Sequence, residues 1–174
     1  MADLISKIKG VDNVTYDLQD KISTFGGTNY VLNSNVSISG LNLNEQFDID
    51  WQSLKGKIIV VSCYIKLTNA VGGNSARVGF EPSFSYSGGN QYCGIWHNTA
   101  NGATDNFSGR ISAVYTVNPN ITGIGQRGIY IQRYSSGTII ISHPKIEIGT
   151  KPTEWTPAPQ DLVTYSSETL EFFQ

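Results

Sequence analysis

Strict alternation of apolar and polar residues dominates the middle of the chain. Over residues 57–67, Ile59, Val61, Cys63, Ile65 and Leu67 form one row, and Val60, Ser62, Tyr64 and Lys66 form the other. Successive side chains of a strand point to opposite faces, so the first row predicts a buried face and the second a wetter one. The same period returns in Ala76, Val78 and Phe80 against Arg77, Gly79 and Glu81. It returns again in Phe107, Ile111, Ala113 and Tyr115 against Ser108, Arg110, Ser112 and Thr116. Stretches 128–134 and 138–148 flank Ser135-Ser136-Gly137 and read as a hairpin, and NAVGGNS (69–75) reads as a turn. Short strands at even spacing, without helical segments between them, predict an all-β, two-sheet jelly-roll sandwich over residues 29–159.

The ends read differently. Leu4, Ile5, Ile8 and Val11 repeat at helical spacing, Val14, Tyr16 and Leu18 alternate, and Gly26-Gly27 then breaks the pattern. Residues 1–28 are therefore expected to be an N-terminal attachment segment and linker. Residues 160–174 form a C-terminal tail that carries Leu162, Val163, Tyr165, Leu170, Phe172 and Phe173. Such apolar ends either fray or find a partner surface, which can be a neighbouring subunit or another copy of the chain.

Composition narrows the partners. Among 174 residues, Lys and Arg number 12 against 14 Asp and Glu, a net charge of −2, and charged residues are only 15%. An average globular protein has about 25%. A charge-poor, near-neutral surface argues against nucleic acid and against an anionic membrane, both of which are bound through clustered cations. No apolar run approaches the roughly 20 residues of a membrane helix, and residues 1–10 lack the apolar region of a signal peptide. Cys63 and Cys93 lie in apolar runs and read as buried thiols in preference to a disulfide. Two cysteines and two scattered histidines have no metal-ligand spacing, so no metal or cofactor is expected. Asp48, Asp50, Asp105 and Asn106 are oxygen donors that suit either a structural calcium or ordinary solvated turns.

One stretch is more specific. Pro144-Lys145-Ile146-Glu147-Ile148-Gly149-Thr150-Lys151-Pro152-Thr153-Glu154-Trp155-Thr156-Pro157-Ala158-Pro159-Gln160-Asp161 resembles the closing strand of jelly-roll carbohydrate-binding modules in tail and baseplate proteins of phages that infect Gram-positive bacteria. Ile146, Pro152 and Gln160 stand where that pattern usually has Leu, Ala and Glu. Asn29-Tyr30-Val31-Leu32-Asn33-Ser34 is similar to the module's first strand. Val14-Thr15-Tyr16-Asp17-Leu18-Gln19-Asp20 resembles a segment that often precedes fibre or receptor-binding regions in the same virions. The resemblance implies a non-enzymatic virion adhesion protein, present in many copies, that binds host cell-wall polysaccharide and attaches to other virion proteins through its ends. The alternatives are a structural decoration protein of head, neck or tail with little sugar affinity, or a wall-targeting module for a hydrolase on another chain.

The closing motif itself reads as structural. Pro152, Pro157 and Pro159 cannot continue strand pairing, so the chain should leave the sheet as a lid, with Trp155 packed on the sandwich. A saccharide site needs aromatic faces and planar polar groups. Alternation offers Tyr64, Lys66, Arg77, Glu81, Arg110, Tyr130, Gln132 and Tyr134 on outward faces, which is either a site or an ordinary solvated surface. Trp96 and His97, in a Gly- and Asn-rich stretch expected to be a loop, can stack on a sugar or belong to the core. No spacing selects a carboxylate pair, and no nucleophile elbow or phosphate loop occurs, so an enzyme is not expected.

Overall fold

The computed structural model describes residues 27–162, in which seven antiparallel strands form one continuous sheet folded into two layers. Two strands organise everything else: β3 (Ile58–Tyr86, 29 residues) and β7 (Gly123–Ile148, 26 residues). An ordinary strand has about 5–6 residues. These two pair with each other from Ile59↔Ile148 to Ser85↔Gly123, and so run through both layers.

Both bend at the same place. The register shifts repeatedly between Thr68 and Arg77 of β3, opposite Thr138 to Gln132 of β7. Asn69, Ser75, Arg133 and Gly137 all take positive φ there (48°, 59°, 61° and 96°). A Cβ on Gly137 would stand 2.3 Å from the Asn69 carbonyl oxygen, so only glycine lets the backbones approach this closely. The turn-forming residues thus build one coupled corner. The hairpin expected at Ser135-Ser136-Gly137 and the turn expected at NAVGGNS are both corrected: each lies inside a long bent strand. Local turn chemistry cannot distinguish a chain that reverses from two strands that bend together.

In the first layer the order is β1 (Ser37–Ser39), the second half of β7, the first half of β3, and β6 (Thr104–Thr116). In the second it is β2 (Leu43–Gln46), the first half of β7, and the second half of β3. β5 (Ile95–Thr99) and β4 (Gly89–Tyr92) then lie end to end along β3. This is the all-β jelly-roll sandwich that the alternation predicts. Ile59, Val61, Cys63, Ile65 and Leu67 are buried as expected, in one cluster with Val78, Phe80, Ile129 and Ile131 of the other layer. Phe107, Ile111, Ala113 and Tyr115 pack against that core only in part, because β6 has a strand partner on one side alone. Cys63 and Cys93 are free and buried, and burial pushes the Cys93 thiol up to about 12, so both act as small apolar groups.

Part of the outward row of the first layer is covered, while Lys66 at its far end stays exposed. Val60, Ser62, Lys145 and Glu147 are buried beneath residues 150–158, which return over this face as the expected lid. Lys145 Nζ lies 3.3 Å from Glu147 Oε2 and donates to Thr153 Oγ1 (2.8 Å) and to the Glu154 carbonyl (2.7 Å). Glu147 Oε1 accepts the Thr153 N–H at 2.8 Å. Arg110 reaches the Thr153 carbonyl, Ser62 Oγ (2.6 Å) and Glu147 (3.5 Å). The opening residues close the same clasp: buried Asn29 donates to Ser34 Oγ (2.8 Å) and the Thr156 carbonyl (2.9 Å), and Trp155 Nε1 donates to Ser34 Oγ (3.2 Å). The two stretches that carry the family resemblance are therefore joined to each other, and their residue types serve that joint.

His143 sits at a bulge in β7 (φ 53°), with its ring 4.8 Å from Trp155 and 6.1 Å from Tyr64. Burial holds its pKa below the usual 6.5. The unfolded chain therefore takes up a proton that the folded one resists. This contribution to stability is complete above about pH 6.5 and is lost as pH falls through the depressed folded pKa. Thermal melts between pH 7.5 and 5 should show a decline that is shallower in His143→Phe; identical slopes in the two proteins would remove His143 from the account. Of the segments expected to carry attachment, 1–28 and 160–174, residues 1–26 and 163–174 lie outside the described residues.

Candidate saccharide-binding face

The outer face of the second layer brings together four of the side chains singled out in the sequence. Arg77 and Gln132 are cross-strand neighbours on β3 and β7, as are Gly79 and Tyr130, and Gly79 also faces Trp96 on β5. Arg77 and Gly79 alternate with buried Val78 and Phe80, so the sheet itself aims this set outward. The Arg77 guanidinium lies over the Trp96 ring, 3.9 Å from its centroid, and Arg77 Nε donates to Gln132 Oε1 at 2.8 Å. The Trp96 and Tyr130 rings are 5.9 Å apart, but Tyr130, expected to be outward, is buried at 9% exposure. The Tyr130 hydroxyl donates to Gln126 Oε1 (2.5 Å) and accepts from Gln46 Nε2 (3.1 Å).

Gly79 makes room for the indole. A Cβ there would stand 2.9 Å from Trp96 Cε3 and 2.0 Å from the Ile95 carbonyl oxygen. A glycine at an outward position of a well-formed strand marks a close approach, and it is the one sequence signal that separates this face from an ordinary strand surface. Asn44 and Gln46 of β2 are polar neighbours of Tyr130 that alternation within β3 and β7 cannot find, because they come from another part of the chain, whereas Gln126 shares the parity of Tyr130 on β7. An open groove of about 590 Å³ runs along the β5 side, lined by Gly94, Ile95, Trp96, Arg110, Ile111, Ser112 and Ala113. The face therefore offers an aromatic surface, a held guanidinium and several amides beside a groove, which is the chemistry that grips sugar C–H faces and hydroxyls.

The remaining expected residues lie elsewhere. Tyr64 belongs to the lid: its hydroxyl donates to Glu154 Oε2 at 2.6 Å, and burial, with that bond, raises its pKa. Arg110 is held in the lid network described above and reaches the Trp96 side only as a wall of the groove, while Lys66 is exposed on the first layer. His97 lies on strand β5, not in a loop, and points away from Trp96; its Nε2 is 2.8 Å from Asp105, and its ring is 4.5 Å from Phe107. Tyr134 is the clearest correction. The positive φ of Arg133 reverses the alternation after Gln132, so Tyr134 turns into the core at 6% exposure, its hydroxyl 3.1 Å from Thr99 Oγ1. Tyr134→Ala is accordingly expected to cost about 3–5 kcal/mol of stability, measured by urea unfolding. A loss under 1 kcal/mol would contradict the core placement.

The acidic groups considered for calcium are otherwise engaged. Asp50 accepts from Ser53 Oγ (2.8 Å), Asp48 pairs with Arg127 (2.9 Å), and Asp105 accepts from Thr99 Oγ1 (2.9 Å). Among the described residues no three potential ligands converge, and no helix is long and apolar enough to cross a membrane.

The fold defines a β-sandwich of jelly-roll class. No protein-family model matches the chain, and no curated protein does. Similar solved structures include the baseplate tripod of bacteriophage Tuc2009, at 16% identity and TM-score 0.47, covering 79% of this chain and 60% of that one. The chain thus spans 60% of the length of the tripod chain. A family 16 carbohydrate-binding module matches at 10% identity and TM-score 0.42, covering 70% of this chain and 86% of the module. The CBM22-1 and GH10 modules of a Clostridium thermocellum xylanase match at 12% identity and TM-score 0.38, covering 76% of this chain and 30% of that one.

Proposed function

We propose that the chain is a non-enzymatic virion protein of tail or baseplate whose second-layer outer face binds host cell-wall saccharide. The observation that carries this reading is the outward cluster of Trp96, Arg77 and Gln132, with buried Tyr130 beside the indole. Gly79 leaves room for the indole between Arg77 and Tyr130. The setting in a virion rests on the resemblance of the opening and closing stretches. A sheet face buries little ligand area, so each site should be weak, and many copies on one particle would supply avidity without new contacts.

Co-sedimentation of the full chain with polysaccharide-bearing cell walls of Gram-positive bacteria tests this directly. Binding should be retained on walls stripped of protein and lost on walls stripped of polysaccharide. Equal sedimentation with both preparations, or none with intact walls from any susceptible strain, would favour the structural decoration protein.

A further inference from the structure

We infer that the saccharide taken by this face carries an acidic group, a carboxylate or a phosphate, seated on Arg77. The inference rests on the reading that the Trp96 face binds saccharide, and it specifies the ligand. Arg110 and Arg127 are spent on carboxylates, Glu147 and Asp48 respectively. Arg77 has no carboxylate within ion-pair distance among the described residues. Its plane is fixed twice over, by the indole 3.9 Å away and by the Nε bond to Gln132. Both restraints leave the two terminal nitrogens uncommitted, and those are the fork that binds carboxylate or phosphate with two parallel hydrogen bonds. A guanidinium held in advance loses little freedom on binding, so the gain is realised at the ligand.

Glu81 does not pair with this charge. It borders the other end of the indole, where a Cβ on Gly94 would stand 3.0 Å from Glu81 Cγ and 3.1 Å from Trp96 Nε1, and it forms no ion pair with Arg77. The face is therefore polar along β3, and the acidic end of the sugar belongs at Arg77 with its ring toward Trp96. The near-zero net charge of the chain is no obstacle. It removes long-range steering and leaves a local ion pair intact.

The test is a titration of the ¹⁵N-labelled full chain with glucose, glucuronate, glucose 6-phosphate and inorganic phosphate at equal ionic strength. The signals followed are the Arg77 Nε–H and the Trp96 indole N–H. At least one of the two acidic sugars should move both signals with an affinity ten-fold or more above that of glucose, and the stronger of the two identifies carboxylate or phosphate. Arg77→Lys, which keeps the charge and removes the fork, should bring that acid down to the level of glucose. Glucose acting as strongly as both acids would overturn the acidic ligand and leave the saccharide face standing. Inorganic phosphate moving Arg77 as strongly as the sugars, with Trp96 unmoved, would reduce the site to an anion contact. No response at Trp96 to any sugar would overturn both readings.

Discussion

Glu147→Ala should cost about 3–5 kcal/mol of stability and lower the melting temperature by on the order of 10 °C, a large loss for one side chain. Glu147 is 1% exposed and Lys145 is fully buried, and Arg110 shares the same carboxylate. Burial lowers the Lys145 pKa, and the Glu147 charge works against that fall. Without Glu147, the ammonium keeps Thr153 Oγ1 and the Glu154 carbonyl but no opposite charge at contact distance. Buried ion pairs are often replaceable when both charges leave together. Lys145→Met with Glu147→Leu should therefore be much milder than Glu147→Ala alone. Urea unfolding of the three proteins decides the matter. A single mutant no worse than the double would show that the lid is held by something other than this pair.

The second large effect should fall on adhesion. Trp96→Ala is expected to weaken each saccharide site by about 2 kcal/mol, a factor of roughly thirty, as loss of a central aromatic anchor commonly does. Trp96 is half-buried on an outer face, so the fold should survive its removal. Arg77 would also lose the surface that orients it. On a particle bearing many copies the losses compound through avidity, so wall binding should fall much further than single-site affinity. Tyr64→Phe is the internal control. It removes the bond to Glu154 within the lid and should leave saccharide binding unchanged. Equal loss of binding in both variants, measured on walls and by titration, would move the site to the first layer.

Much of the fold can be read from residues 57–67, because a five-residue apolar row allows only one burial pattern. The second layer is legible for the same reason in Val78 and Phe80. What alternation cannot reveal is where its own phase changes. Arg133 at positive φ inverts the parity between Gln132 and Tyr134, and the bulge at His143 does the same between Ile141 and Ile146. An outward row also cannot announce that a distant segment will cover it. Ser62 and Glu147 are outward in the sheet and buried in the molecule, since residues 150–158 return over them. The candidate face shows the same division. Arg77 and Gln132 are readable as outward polar groups, whereas Tyr130, which alternation also marks as outward, is buried and Trp96 reads as a loop residue; the meeting of the four depends on the pairing of β3 with both β5 and β7.

Saccharide is proposed to meet the protein at Trp96, and the three tryptophans supply the means to check it. Trp51 lies beside Lys55 near the short turn Gln52–Leu54, Trp155 is in the lid, and Trp96 is on the second-layer face. Their indole N–H signals can be followed together while oligosaccharides released from host cell walls are added to the full chain. The account predicts a saturable shift at Trp96, with Trp51 and Trp155 unmoved. A shift confined to Trp155 or Trp51, with Trp96 silent at saturating ligand, would contradict it.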